Sequence, residues 1–311
     1  YTRAEASLKG GIITWLIGLG TIWSFNYGQD YTVFGMTFFG ILDGGRGLVE
    51  ALLATVAVAM FAHYTDSAGQ DTSDALRKVI YLYVGCMLVL APVAYFILPE
   101  PETKQEPNAA KPKSNVWADL KVVASKYEIW LCGICILTGY QLFWATYSFS
   151  AYLQNHYGLT AVAVASITTA KLWMRPIGAA AAGFAGDFMN RELVLGVLLA
   201  LASASLASLV ILPAGAGSAV LLSIVLAIGF LTYAVRGIFW STLESCNVSN
   251  KIKGLAIGTI SLLGYSPDIY LPLLEGFLVE QYPGKQGYAI YFGGIAAMGL
   301  FGAMAAWQLK L

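Results

Sequence analysis

The chain has 311 residues, of which 58% are hydrophobic and 12% charged, and its 18 basic and 18 acidic side chains leave no net charge. Soluble domains carry roughly 25% charged residues, so this composition excludes an ordinary soluble domain and points to an integral membrane protein. The balanced charge gives no basis for a nucleic-acid partner or a polybasic membrane-surface role.

A membrane helix needs about 20 mostly apolar residues, and only helices or closed barrels satisfy their backbone groups in hydrocarbon. On that criterion the expected fold is all-α, a polytopic helical bundle with spans near 9–27, 46–64, 78–98, 128–151, 160–184, 192–212, 218–242, 253–280 and 286–308. Lys171 and Arg175 interrupt the fifth of these, and Ser24, Asn26 and Tyr27 crowd the end of the first. Residues 99–127 are rich in Pro, Lys and Glu, as expected of an extended or partly helical linker. The chain therefore divides into 1–98, a partial N-terminal half with three helices; 99–127, an inter-half linker; and 128–311, a complete C-terminal half with six helices.

Lys and Arg accumulate on cytoplasmic loops. The linker's side collects Arg46, Lys104, Lys111, Lys113, Lys121, Lys126, Arg191, Lys251, Lys253 and Lys310, against Arg3, Lys9, Arg77, Lys78 and Lys285 on the other. Linker and C-terminus are thus expected in the cytoplasm, for a multi-pass protein of the plasma (inner) membrane. The chain opens on Tyr1 without the n-region of a signal peptide, and the uneven three-plus-six count reads as a partial chain.

Cys132 and Cys135 make a C-x-x-C spacing inside an apolar span, which suits packing better than redox or metal chemistry. His63 and His156 fall at span ends. No metal site and no cofactor are expected, and no nucleophile and base share a helix face, so an enzyme is not expected.

The informative residues are ionisable groups at membrane depth: Lys171, Arg175, Arg236, Asp268 and Glu275, with Glu50 nearer an end. Each is costly in lipid, about 2.5–3.5 kcal/mol on insertion scales, and so faces a partner or a polar interior. Helical spacing groups them. Lys171 and Arg175 share one face, as do Tyr233, Arg236 and Trp240, and as do Tyr140, Trp144 and Tyr147 with Gln141 beside them. Ser261, Tyr265, Asp268, Pro272 and Glu275 form a further stripe. Such stripes act either as structural ion pairs and interfacial anchors or as the walls of a solute path. Pro267 and Pro272 should kink or unwind the helix around Asp268, and a broken helix of this kind can expose carbonyls where solutes bind. Gly254 and Gly258 give a G-x-x-x-G spacing suited to close helix approach.

The stretch RPIGAAAAGFAGDFMNR, residues 175–191, resembles the second copy of the loop motif of the major facilitator superfamily, G-x-x-x-D followed by basic residues. Gly183 and Asp187 hold the Gly and Asp places and Arg191 supplies a basic residue. Phe188 and Asn190 depart from the pattern. GILDGGRGLVEA, RGIFWSTLESCN and GLAIGTISLLGYSPDIYLPLLEGF are similar to bacterial permeases of the same superfamily. The resemblance implies alternating access by two six-helix halves, with the first three helices of the fold missing here. It also implies that Asp187 caps or pairs across cytoplasmic helix ends, and that Arg46 pairs with Asp43 or Glu50 at the cytoplasmic end of its span.

The expected function is secondary active transport of a small organic solute, an anion such as a sugar acid or other carboxylate. Tyr140, Gln141, Trp144, Tyr147, Lys171, Tyr233, Arg236 and Trp240 would line the site. Asp268, if desolvated, would take up a coupling proton; Arg46, Glu50, Arg175, Gly183, Asp187, Arg191, Pro267, Pro272 and Glu275 would serve gating or structure. The expected partners are the solute, the proton and the lipid bilayer, with the protein a monomer. The alternative is a non-transporting membrane sensor built on the same bundle.

Overall fold

Backbone groups in hydrocarbon must pair within their own segment, and in the computed structural model, which describes residues 35–66, 72–97, 116–213, 215–249 and 252–310, every regular element is helical. In chain order these are α1 (Gly35–Asp66), α2 (Thr72–Ile97), α3 (Val116–Ser125), α4 (Tyr127–Ala145), α5 (Phe149–Tyr157), α6 (Ala161–Leu172), α7 (Met174–Phe188), α8 (Arg191–Ile211), α9 (Ser218–Ile238), α10 (Lys253–Gly264), α11 (Pro267–Gln281) and α12 (Lys285–Lys310). Short 3-10 turns, Thr146–Ser148 and Phe239–Cys246, follow α4 and α9.

Continuous stretches long and apolar enough to cross a membrane are Asp43–Tyr64, Tyr127–Tyr157, Arg191–Ile211, Ser218–Cys246 and Lys285–Lys310. The expected first span, 9–27, lies outside the described residues. So does most of the linker, whose last part forms α3.

Two spans expected to be continuous are each a pair of shorter helices. The stretch 160–184 divides at Trp173 into α6 and α7. Pro176 is the cause: it has no amide proton to donate to the carbonyl four residues back, at Leu172, so the helix ends there and restarts with the proline in its first turn. The stretch 253–280 divides at Tyr265 and Ser266, with Pro267 opening α11. The interruption thus falls just before Asp268 and not around it. Pro272 lies inside α11, where it leaves the Asp268 carbonyl without its usual amide donor. The turns around these helices are conventional. Thr160 caps α6 by accepting from the Ala163 amide at 3.3 Å, and Gly158, at φ 65°, ends α5 in the left-handed conformation that glycine takes without a Cβ penalty.

Helix α4 is the hub of the C-terminal part, packing on α12, α10, α9 and α11, while α8 packs along α12. On the other flank α1 runs along α7, and α7 packs on α9. Small residues permit these approaches. A Cβ at Gly178 would stand 2.5 Å from the carbonyl oxygen of Phe230 on α9, and one at Gly44 would stand 3.2 Å from the Pro176 carbonyl oxygen. The expected close approach at Gly254 and Gly258 does not occur among the described residues, since no atom lies within 4 Å of a Cβ at either. The outward faces are apolar: Leu88 of α2, Leu262 of α10 and Leu273 of α11 are all more than two thirds exposed. Such faces are stable against lipid and not against water.

The α7–α9 contact is backbone against backbone, so it cannot relax by rotating a side chain. Gly178→Val is expected to lower the melting temperature of the detergent-solubilised full-length protein, with an overpacking cost of about 1–3 kcal/mol and a smaller loss for Gly178→Ala. A Val variant that melts like the parent would refute the α7–α9 packing.

Candidate functional site

The aromatic stripe of α4 forms as its spacing requires. The Tyr140 ring lies 6.4 Å from Trp144, and Trp144 lies 5.0 Å from Tyr147. From α9, the Arg236 guanidinium sits over the Phe143 ring at 4.2 Å and near the Tyr140 ring at 5.7 Å. These are cation–π distances. Among the described residues its Nε is buried and has no hydrogen-bond partner, an arrangement that leaves a donor over for a further acceptor.

Helix α11 closes on the same stripe through adjacent residues of α4. Tyr140 donates its hydroxyl proton to Asp268 Oδ1 at 2.8 Å, and Gln141 donates through Nε2 to the Tyr270 hydroxyl. Among the described residues the Gln141 Oε1 atom is buried without a partner. Trp240, in the 3-10 turn after α9, donates to the Tyr265 hydroxyl at 3.0 Å. The break between α10 and α11 therefore hangs Tyr265, Asp268 and Tyr270 over one polar aromatic face. Asp268 is exposed in the described chain, so the desolvation expected of it does not come from these residues, and no cation stands at ion-pair distance from it among them.

Lys171 and Arg175, expected on one face, lie on either side of the Trp173 break and look at different partners. Lys171 is only 4% exposed. Its ammonium donates to Thr146 Oγ1 at 2.9 Å and to the Thr146 carbonyl at 3.3 Å, with the Tyr147 and Phe149 rings at 5.8 and 5.9 Å. It makes no ion pair among the described residues.

Arg175, 2% exposed, is held by α1. Its Nη2 and Nε face Asp43 Oδ1 and Oδ2 at 2.7 and 3.3 Å, a two-point fork, and Nη1 binds Glu50 Oε2. The Tyr233 ring lies 5.5 Å from the guanidinium carbon. Asp43 and Glu50 lie one heptad apart on α1, and the family resemblance implies that one or the other pairs with Arg46. Both instead go to Arg175, and Arg46 is exposed. The reason is geometric: Asp43 and Glu50 share a face seven residues apart, whereas Arg46 points away from the α7 contact where Arg175 enters. Gly47 lies between them, where any side chain would overlap that of Arg175.

The remaining expected residues lie elsewhere. Gly183 is buried and Asp187 is half-buried near the end of α7. Arg191 pairs with Glu244 and stands 3.9 Å from Glu192, tying the start of α8 to the 3-10 turn after α9. Glu275 is half-buried one heptad beyond Asp268 and makes no ion pair among the described residues. A cavity of about 800 Å³ between α8 and α12, lined mainly by apolar residues such as Val197, Leu300 and Phe301, is separate from the aromatic face. Sequence reasoning did not include Asp43, Phe143, Thr146, Tyr265 or Tyr270 among the site residues. Phe143 follows Tyr140 by three positions and precedes Tyr147 by four, so the helical stripe already held it; Thr146 and Tyr270 carry no such signal.

No family model matches the chain. It is 24% identical to inner membrane protein YqcE of Escherichia coli over 269 residues, covering 84% of this chain and 62% of that protein. It is 24% identical to inner membrane protein YihN of the same organism over 281 residues, covering 87% of this chain and 64% of that protein. It is also 30% identical over 171 residues to a hexuronate transporter of Bacillus subtilis, covering 50% of this chain and 39% of the transporter. The chain thus spans less than two thirds of the length of these relatives. Together with its long apolar helices, the similarity marks it as a polytopic helical membrane protein.

Removing one partner of a buried ion pair leaves the other charge uncompensated, at a cost of about 3–5 kcal/mol. Arg175→Ala should therefore depress the melting temperature of the full-length protein by many degrees, and Arg175→Lys should recover only part of it, because an ammonium cannot form the two-point fork to Asp43. A Lys variant as stable as the parent would remove the fork from the account.

Proposed function

We propose that this chain is part of a secondary transporter of the major facilitator type, moving a small organic anion by alternating access. The observation that carries the reading is Arg236: a guanidinium over the Phe143 ring and near that of Tyr140, with its buried Nε lacking a partner among the described residues. A solute carboxylate could supply that acceptor, and guanidinium–carboxylate pairing is strong where water is excluded. The aromatic face of Tyr140, Trp144, Tyr147, Tyr233 and Trp240 would pack on the carbon skeleton, as mostly apolar sites with a few placed polar groups do. Lys171 would add positive field from the other side of the Tyr147 ring.

The similarity to a hexuronate transporter supports a sugar acid as the solute. The breaks at Trp173 and Tyr265–Ser266 support movement, since interrupted helices hinge at the residues between their halves. In this reading Arg175 would join the segment before the linker to the C-terminal half, Asp187 and Arg191 would secure helix ends on the linker side, and Glu275 would stay structural. The protein would sit in the inner membrane with its C-terminus in the cytoplasm, and would work as a monomer.

The test is uptake of labelled sugar acids, simple carboxylates and neutral sugars into liposomes holding the full-length protein, at two pH values. Sugar acids are expected to enter. Arg236→Gln should raise the half-saturating concentration for the anion at least tenfold while leaving the melting temperature close to that of the parent. Unchanged affinity would exclude Arg236 as the anion clamp, and preferential uptake of neutral sugars would exclude the anion.

A further inference from the structure

The cavity of about 800 Å³ between α8 and α12 takes no part in the transport reading. Its floor is the line along which the two helices touch, where a Cβ on Gly196 would stand 3.3 Å from the Ala303 carbonyl oxygen. Its walls repeat at helical spacing, with Val197 and Ala200 from α8 and Leu300, Phe301, Met304 and Trp307 from α12. The larger of these side chains are half exposed or more, and they stand on two stretches long and apolar enough to cross a membrane. The described N-terminal helices pack on the opposite flank, α1 along α7 and α2 along α1. The trough therefore opens toward lipid, and from Glu192 to Ala200 it runs about 12 Å, at 1.5 Å per residue.

One end of the trough is polar. Glu192 lines it although the residue is only 7% exposed. Its Oε1 accepts from the Ser245 hydroxyl and stands 3.9 Å from Arg191 Nε, while Oε2 has no hydrogen-bond partner among the described residues. The Arg191 guanidinium closes on Glu244 through Nη1, and the nearby Lys126 donates to the carbonyls of Cys246 and Asn247. On the α12 side, Gln308 accepts the Tyr127 hydroxyl proton at Oε1, 2.5 Å away, which leaves its amide protons for another acceptor. The Lys310 ammonium lies 5.9 Å from the centre of the Trp307 ring and makes no ion pair among the described residues. Helix α8 begins at Arg191 and α12 ends at Lys310, so this end lies at a membrane surface, the level at which Trp and Lys side chains gather.

We propose that the trough is a phospholipid site selective for a headgroup that carries a primary ammonium. An acyl chain lies along the α8–α12 contact, the ammonium donates to Glu192 Oε2, and the phosphate takes protons from Gln308 Nε2 and Lys310. An acid and a base at one level match a zwitterion better than a headgroup with negative charge alone. Donor count then selects among zwitterions. Ethanolamine offers three N–H groups and choline none, so only the former meets a buried carboxylate oxygen that lacks a donor. None of these residues belongs to the aromatic face, and the proposal stands or falls independently of the transport reading.

The experiment titrates the full-length protein in detergent with dioleoyl phosphatidylethanolamine, its N-methyl and N,N-dimethyl derivatives, dioleoyl phosphatidylcholine and dioleoyl phosphatidylglycerol, and counts bound lipid by native mass spectrometry. A single phosphatidylethanolamine is expected to bind about tenfold more tightly than phosphatidylcholine, as one charge-assisted hydrogen bond is worth, with the methylated derivatives in between. Glu192→Gln keeps an acceptor for Ser245 and should bring the two lipids within about twofold of each other. Ala297→Trp, at an exposed position that lines the trough, should weaken both lipids by the same factor. The methyl series uses the parent protein, so it decides the headgroup even where a variant folds poorly. Equal affinity of the parent for phosphatidylethanolamine and phosphatidylcholine overturns the proposal. So does a preference that survives Glu192→Gln, tighter binding of phosphatidylglycerol, an Ala297→Trp variant that binds as the parent does, or a lipid-free dimer that buries Phe301, which would give the trough to a second copy of the chain.

Discussion

A guanidinium with 2% of its surface exposed has to be neutralised where it lies, and much of the α1–α7 arrangement follows from that requirement. Taking such a charge out of water costs several kcal/mol even after relaxation, so Arg175 cannot be buried unless acceptors meet it in good geometry. Asp43 meets it with two oxygens and Glu50 with one. For α1 to bring both, it must run close along α7, and that closeness is possible only because Gly44 and Gly47 carry no side chain where Pro176 and Arg175 stand. The run DGGRGLVE therefore works as a unit: acids one heptad apart, with glycines in the space between them.

The second constraint is proline. Pro176 and Pro267 each deprive the preceding turn of an amide donor, and each divides what the apolar pattern presents as one span. The first division lets Lys171 turn toward Thr146 while Arg175 turns toward α1. The second lets Asp268 and Tyr270 both reach α4, at Tyr140 and Gln141. Without these breaks, the two basic residues would compete for the same partners, and the α11 residues would sit on different faces of a straight helix. Around the breaks, α4 and α9 stay continuous over the stretches that present the aromatic stripe and Arg236.

How legible was this in the sequence? The α4 stripe was, because Tyr140, Trp144 and Tyr147 follow helical spacing and helical spacing survives any packing. The apolar spans and the need to accommodate the charges of Lys171, Arg175, Arg236 and Asp268 were equally readable, since charge in a long apolar run has to be accommodated somewhere. Pairings were not. The family resemblance put Arg46 with Asp43 or Glu50, yet Arg175, more than a hundred residues away, takes both. Nor was the packing use of Gly254 and Gly258, where a familiar spacing meets open space.

The sequence by itself determined the solvent of this protein, the helical class of its elements, the periodic stripes along each helix and the presence of breaks. All of these depend on local composition and on the chemistry of the peptide unit. Tertiary structure alone decided which cation meets which carboxylate and, among the described residues, that Asp268 bonds a tyrosine hydroxyl and no cation and that one nitrogen of Arg236 is left without an acceptor. Those outcomes depend on distances between residues far apart in the chain. Spacing along one helix says which face a charge occupies, and only the packing of a second helix says what that face meets.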